Sequence, residues 1–324
     1  MPEQEIPMSQ RSEEDIKRLY VTPALEAKWD KNKITMETRI TDGKINLQGN
    51  LVVREAGKKA DYFLYTTVNK PIAVVEAKKA TKPVGEGMQQ AIEYATMQGL
   101  KFAYSTNGKE FLEHDFITGK ERTFSMDAFP TEEELLARLK GANVITDAEL
   151  KIAEQPFYTG QNSYPPRYYQ QRAVNAITEA VARGQKRVLI VMATGTGKTY
   201  VAFQTIYRLL KAGLIKRVLY LADRNVLIDQ SLDQDFRPLA KVCHKIQVAK
   251  DNKNKLTSYN VNFALYQQLV GDNGEKHYEK LFKPDYFDLI IIDECHRGSA
   301  KADSAWREIL EYFQPAYQVG MTAT

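Results

Sequence analysis

Cysteine is almost missing from this chain: among 324 residues only Cys243 and Cys295 occur. Two thiols so far apart in sequence form neither a disulfide framework nor a closely spaced metal site, and a reducing cytoplasm is the compartment such a chain fits. No apolar segment precedes the charges of the N-terminal MPEQEIPMSQRSEEDIKRL. Nor does any stretch approach the roughly 20 apolar residues that cross a bilayer, so neither a signal peptide nor a membrane anchor is expected. Repeats and low-complexity tracts are also lacking. Charge of one sign is in short supply, because a net +4 is small for this length. Any nucleic-acid contact must therefore come from local clusters of Lys and Arg. What is present is enough apolar material, 43% of residues, to give each of two ordinary domains a packed core.

The character of the chain changes near residues 141 to 166. GANVITDAELKIAEQPFYTGQNSYPPRYY combines Gly, Asn and Ser with the Pro165-Pro166 pair and weak periodicity, as a linker would. The expected division is a first domain over 1–145, a linker over 146–166 and a second domain over 167–324. In the first, strand-like runs (DYFLYTT, IAVVEAK, KFAYSTNG) alternate with helical segments around EEDIKRLYVTPALEAK, EGMQQAIEYATM and TEEELLARLK, which predicts a mixed α/β domain. In the second, the runs RVLIVMA, KRVLYLAD, FDLIIIDE and YQVGMTAT are continuous in Val, Leu and Ile. Such runs predict strands buried on both faces of a parallel sheet, with ligands at their carboxyl ends.

The strand RVLIVM runs into Ala193-Thr194-Gly195-Thr196-Gly197-Lys198-Thr199 and then into the helical KTYVAFQTIYRLL. Backbone N–H groups of such a loop can cradle phosphate oxygens at a helix N-terminus. Lys198 can reach the β- and γ-phosphates, and the Thr199 hydroxyl can ligate magnesium. Met192 stands where the general motif has its first glycine. A Gly/Thr turn alone carries no chemistry, but Asp293-Glu294-Cys295-His296 after FDLIII places two carboxylates at a second strand end. Asp293 suits a direct or water-mediated magnesium ligand, and Glu294 suits the base that positions and deprotonates the attacking water.

These motifs resemble those of superfamily-two helicases, whose acidic box this sequence spells DECH. Arg167-Tyr168-Tyr169-Gln170-Gln171-Arg172-Ala173-Val174 is similar to the adenine-reading element of that superfamily. A Gln amide matches the N6 and N7 edge of adenine, and the family spacing selects Gln170 over Gln171. Thr322-Ala323-Thr324 resembles the T-A-T element that couples ATP state to the DNA track. Ala222-Asp223-Arg224 and Tyr266-Gln267-Gln268 stand where related motors touch the DNA backbone, although ordinary loop residues would look the same. The resemblance also implies a second motor lobe with an arginine that completes the ATP site. No such lobe lies within these residues, and the chain is expected to be part of a larger protein.

In the first domain Asp61 opens DYFLYTT, a short turn around Asn69-Lys70-Pro71 follows, and the next run ends in Glu76-Ala77-Lys78. Strand alternation puts Glu76 and Lys78 on one face, and the turn brings the strand of Asp61 alongside. Two such carboxylates can bind one or two magnesium ions, with Lys78 orienting water or stabilising developing charge. A D…ExK pattern is common by chance, but here the Glu lies inside an apolar strand, where an ionisable group needs a partner. Gln90 and Tyr94 follow four apart on one helix face.

This arrangement resembles the PD-(D/E)xK nuclease fold, with Ala60 in place of the usual Pro, and Gln90 with Tyr94 matches the Q-x-x-x-Y motif of its RecB-like branch. The whole is similar to the R subunit of type I restriction enzymes. That resemblance implies an α/β chain, a PD-(D/E)xK mixed-sheet domain followed by a RecA-like P-loop parallel-sheet domain. It further implies ATP and Mg2+ as cofactors, double-stranded DNA as substrate, and methyltransferase and specificity subunits as partners. Two rivals remain: another nuclease-helicase working without a methyltransferase, and an inactive DNA-binding scaffold.

Overall fold

The structure, a computed structural model, describes residues 6–40, 45–48, 51–54, 57–67, 70–160, 164–271, 274–293 and 307–323. It divides into two compact units, Met1–Thr146 and Asp147–Thr324. No described helix is long and apolar enough to cross a membrane.

The first unit opens with helix α1 (Glu13–Ile16), a π-helical turn over Lys17–Val21, and α2 (Thr22–Glu26). Its strands are β1 (Ile34–Arg39), β2 (Ile45–Gln48), β3 (Leu51–Arg54), β4 (Lys59–Thr67), β5 (Lys70–Ala77), β6 (Phe102–Thr106), β7 (Glu110–Asp115) and β8 (Lys120–Ser125). β2 and β3 form a separate two-stranded ladder, and the main sheet has the order β1-β4-β5-β6-β7-β8. Only the β5–β6 pair is parallel. That pair needs a crossover, which helix α3 (Met88–Gln98) provides. α3 lays Met88, Ala91, Tyr94 and Ala95 on Phe63, Val74 and Ala103. β5 is therefore covered along most of its length, and Ile72 to Ala77 are all buried. On the far side of the sheet, α4 (Glu132–Gly141) starts at a capping box in which the Thr131 hydroxyl accepts from Glu134 N at 3.3 Å and Glu134 Oε2 accepts from Thr131 N at 2.8 Å.

The second unit begins within the expected linker. Residues Asp147–Ala153 form helix α5, so 146–166 is not a plain tether. The reason is a buried arginine. Arg208, on α7 (Lys198–Lys211), donates to Ile152 O at 3.0 Å, Gln155 O at 3.1 Å and Asn175 Oδ1 at 2.7 Å. Its guanidinium also lies over the Phe157 ring, 4.6 Å from its centroid. Burial pulls its pKa down to about 10, and the carbonyls of the 152–155 segment are what satisfy it.

Between α6 (Tyr168–Ala182) and the end of the chain lie β9 (Arg187–Val191), β10 (Val218–Ala222), β11 (Cys243–Lys245), β12 (Val261–Leu265), β13 (Leu289–Asp293) and β14 (Tyr317–Thr322), with α8 (Asn225–Asp233) after β10. All pair in parallel, in the order β11-β12-β10-β13-β14-β9. β10, β12 and β13 are buried along their whole length, as their unbroken apolar runs predict. β9 departs from that expectation. Among the described residues it is one of the two edge strands, and Leu189 and Val191 are 62% and 60% exposed on one face. Cys243 is a buried free thiol, and burial pushes its pKa up to about 12.

Candidate functional site

In the first unit, antiparallel pairing of Tyr62 with Val75 sets Asp61 across from Glu76. The two carboxylates bind each other's strands. Asp61 Oδ2 accepts from Ala77 N at 2.8 Å, and Glu76 Oε1 accepts from Asp61 N at 3.1 Å. Lys78, just past β5, brings Nζ to 3.8 Å from Glu76 Oε2 and donates to Gln90 Oε1 at 3.1 Å. Gln90 Nε2 in turn donates to the Tyr94 hydroxyl at 2.9 Å. All five sequence-predicted residues of this domain, Asp61, Glu76, Lys78, Gln90 and Tyr94, are thus joined in one connected cluster.

Glu76 is 1% exposed. Burial, and then the neighbouring Asp61 carboxylate, raise its pKa from 4.5 to about 8. Two carboxylates crowded at the end of a central strand, one of them pushed toward its neutral form, make a site that a divalent cation would relieve. Among the described residues no third carboxylate, imidazole or thiolate completes a metal-holding group. That donor set suits magnesium, which commonly takes one or two carboxylates and fills its remaining positions with water and phosphate oxygens.

Two neighbours of this cluster were not legible as functional from sequence. Lys17, 3% exposed, reaches Asp61 Oδ1 at 3.0 Å from the π-helical turn. Gly87, just before α3, donates its N–H to Ser105 Oγ at 3.2 Å. A Cβ at Gly87 would lie 2.9 Å from Ser105 Oγ, 3.2 Å from Glu76 Cβ and 3.3 Å from Lys78 Cε. The pair of glycines before MQQAIEY was the available signal: only a residue without a side chain lets α3 start this close to β5.

In the second unit the phosphate loop joins β9 to α7. Gly195 and Gly197 have φ of 76° and 87°, the left-handed backbone that turns successive N–H groups toward one point. Thr196 closes the turn, its N–H and hydroxyl both donating to Ala193 O, at 3.3 and 2.6 Å. Lys198 is buried at the first turn of α7, with Nζ 3.4 Å from Met192 O. A Cβ on Gly197 would meet Gln170 Nε2 at 2.5 Å. Gln170 itself donates to Thr196 O at 2.9 Å and accepts from Arg167 N at 2.9 Å, so α6 is tied directly to the loop. Beside it opens a cavity of about 960 Å³ whose walls include Arg167, Gln170, Gly195 to Gly197, Tyr200 and Asp235.

Strand order places the remaining residues. β14 lies between β13 and β9, and Thr322 O accepts from Met192 N at 2.9 Å. Thr322, at the end of β14, therefore lies between the strand that feeds the phosphate loop and the strand that ends at Asp293. Asp293 Oδ2 accepts from the Tyr220 hydroxyl at 2.9 Å, and the same phenol interacts with Thr199. Burial, then the Asp293 charge, hold Tyr220 well above the ordinary phenol range. Tyr220 was missed because it reads as an ordinary core residue of an apolar strand. Thr194 lies in the turn that follows β9. Glu294, Cys295, His296 and Thr324 lie outside the described residues. At the same end of the sheet, Gln267 Nε2 donates to Asp223 O at 3.1 Å. The two segments expected near a DNA backbone, Ala222-Asp223-Arg224 and Tyr266-Gln267-Gln268, are thus neighbours.

The chain is α/β, with a mixed-sheet domain followed by a parallel-sheet domain that carries the phosphate loop. A family model described as "Type I restriction enzyme R protein N terminus" matches residues 25–130, and one described as "Type III restriction enzyme, res subunit" matches 163–324. The endonuclease subunit of the type I restriction enzyme EcoAI, from Escherichia coli, is 43% identical over 99% of the chain. That of EcoKI, from Escherichia coli K12, is 28% identical over 82%. A fragment structure from Vibrio vulnificus YJ016, assigned as the HsdR subunit of a type I restriction enzyme, superimposes with a TM-score of 0.76 at 45% identity. It covers 97% of this chain and 55% of that one. The chain belongs to the family of type I restriction enzyme R (endonuclease) subunits. It spans 40% of the EcoAI subunit and 28% of the EcoKI subunit.

Proposed function

We propose that this chain carries the nuclease and the first ATPase lobe of a type I restriction motor subunit. In this reading the protein translocates double-stranded DNA at the expense of ATP and cuts it, working in the cytoplasm with methyltransferase and specificity subunits that supply sequence recognition. The observation that carries the reading is the connected cluster Asp61–Glu76–Lys78–Gln90–Tyr94, in a chain that also holds a phosphate loop.

Asp61 and Glu76 are the residues that would hold Mg2+, which when bound supplies charge neutralisation at the scissile phosphate and a more acidic water. Lys78, steered by Gln90, positions its ammonium beside Glu76 for the attacking water or the developing phosphate charge. In the motor lobe the N–H groups of Thr194 to Lys198 take the phosphates of ATP. Thr199 and Asp293 serve the accompanying Mg2+, and Glu294 serves as base for the attacking water. Gln170, which lines the cavity, is the residue that would read adenine. Thr322 and Thr324 relay the state of the ATP site to the DNA track.

Co-purification tests the reading against a nuclease-helicase that works alone. The full-length protein is expected to copurify with a methyltransferase and a specificity subunit, and to cut DNA only in the presence of ATP, Mg2+ and both partners. ATP-dependent cleavage by the full-length protein alone, with neither partner subunit present, would favour the rival.

A further inference from the structure

Lys17 is a lysine with almost no access to water, and its ammonium meets three carboxylates. Nζ lies 2.7 Å from Glu14 Oε1, 2.8 Å from Glu37 Oε1 and 3.0 Å from Asp61 Oδ1. A charge so buried needs partners, and these three carboxylates, all within hydrogen-bond distance, supply them.

Two backbone irregularities converge on this contact. The helix that carries Lys17 changes to a π turn at that residue, the kind of local insertion that re-aims a side chain. Glu37, in the middle of β1, has φ of +51°, a left-handed conformation that a glutamate in a strand adopts only when its surroundings impose it. Met36 and Thr38 pair with Tyr62 and Ala60, which puts Glu37 across from Asp61. Glu37, Asp61 and Glu76 therefore form a row across β1, β4 and β5. Asp61 is held from both sides, Oδ2 by Ala77 N and Oδ1 by Lys17.

Nucleases that use two metal ions set them about 3.5–4 Å apart and share a carboxylate between them. Here the side of Asp61 that faces β1 is already taken by a cation. We infer that Lys17 is a positioning residue of the nuclease centre: its ammonium is a resident cation that fixes Asp61, occupies the place a second divalent ion would take between Glu37 and Asp61, and confines the centre to one divalent ion. The inference rests on the reading of Asp61 and Glu76 as metal ligands.

The test counts Mn2+ ions bound by the full-length protein without nucleotide, by equilibrium dialysis read by electron paramagnetic resonance. Only ions whose binding disappears in Asp61→Asn are counted, which removes any contribution from the ATPase lobe. The wild type is expected to bind one such ion and Lys17→Arg one. Lys17→Met, which keeps the length but not the charge, is expected to bind two, with folding checked by circular dichroism. Two ions in the wild type, or one in folded Lys17→Met, overturn the inference and leave the nuclease reading standing. No Asp61-dependent ion in the wild type overturns both. Should Lys17→Met fail to fold, the wild-type count still decides. In DNA cleavage, Lys17→Arg is expected to retain activity that Lys17→Met loses, a rescue that a packing role for the side chain would not produce.

Discussion

Lys78 Nζ donates to Gln90 Oε1 at 3.1 Å, and this contact links the end of β5 to the helix that crosses over it. Gln90 is itself oriented by donating to the Tyr94 hydroxyl, so the helix supplies no ligand of its own and acts by aiming the lysine. Gln90→Ala is expected to lower the rate of DNA cleavage about 10- to 100-fold, the usual effect of losing an orienting contact behind an active group. DNA-stimulated ATP hydrolysis should be unchanged. Parallel cleavage and ATPase assays on the assembled enzyme check this, and an equal loss in both would contradict it.

The raised pKa of Glu76 has a consequence for stability. Its folded value, about 8, stands above the ordinary 4.5, so the native state holds a proton that the unfolded chain releases. The resulting stabilisation is complete below about pH 4.5 and is lost as pH rises through about 8. In the absence of divalent metal, amide exchange in β5 is expected to show falling protection between pH 6 and pH 9 beyond the intrinsic rate change. Glu76→Gln should abolish that fall, and added Mg2+ should oppose it. Identical pH dependence in the wild type and Glu76→Gln would remove the basis for a crowded carboxylate pair.

The Tyr220 hydroxyl donates to Asp293 Oδ2 at 2.9 Å and also interacts with Thr199. Tyr220→Phe keeps the ring packing against Phe236 and Phe263 and removes the hydroxyl. ATP hydrolysis is expected to fall about tenfold, with a higher Mg2+ requirement and little change in folding stability. An unchanged Mg2+ dependence would show that the phenol plays no part in positioning Asp293.

The parts of the fold legible in the sequence were those with a local signature. The continuous apolar runs of β10 and β13 identified buried parallel strands, and Gly-Lys-Thr at a strand-to-helix junction located the phosphate loop. Asp61, Glu76 and Lys78 were legible because alternation and one turn fix their neighbourhood. What stayed hidden depends on distant pairing. The Lys17 ammonium reaches Asp61 across 44 positions of sequence, from a helical run in which Lys17, the only lysine, carries no mark of function. Gly87 matters for the atoms it lacks, and Tyr220 for a hydroxyl at the end of an otherwise ordinary core ring. The helix at Asp147–Ala153 escaped a reading by composition because a buried arginine 55 residues beyond Ala153, and no strong pattern of its own, ties that segment down. β9 has the apolar run of a central strand, but its place at the sheet edge is set by topology.

We propose that one chain houses two separable chemistries, a carboxylate–lysine nuclease centre and a phosphate-loop motor. The most direct measurement follows ATP hydrolysis and DNA cleavage together in the fully assembled enzyme, comparing Glu76→Ala with Lys198→Ala. Glu76→Ala is expected to abolish cleavage while DNA-stimulated ATP hydrolysis continues near the wild-type rate. Lys198→Ala is expected to abolish ATP turnover and, with it, cleavage that depends on translocation, while DNA binding persists. Loss of ATP hydrolysis in folded Glu76→Ala, or full ATP-dependent cleavage by Lys198→Ala, would show that the two chemistries are not separable in this way.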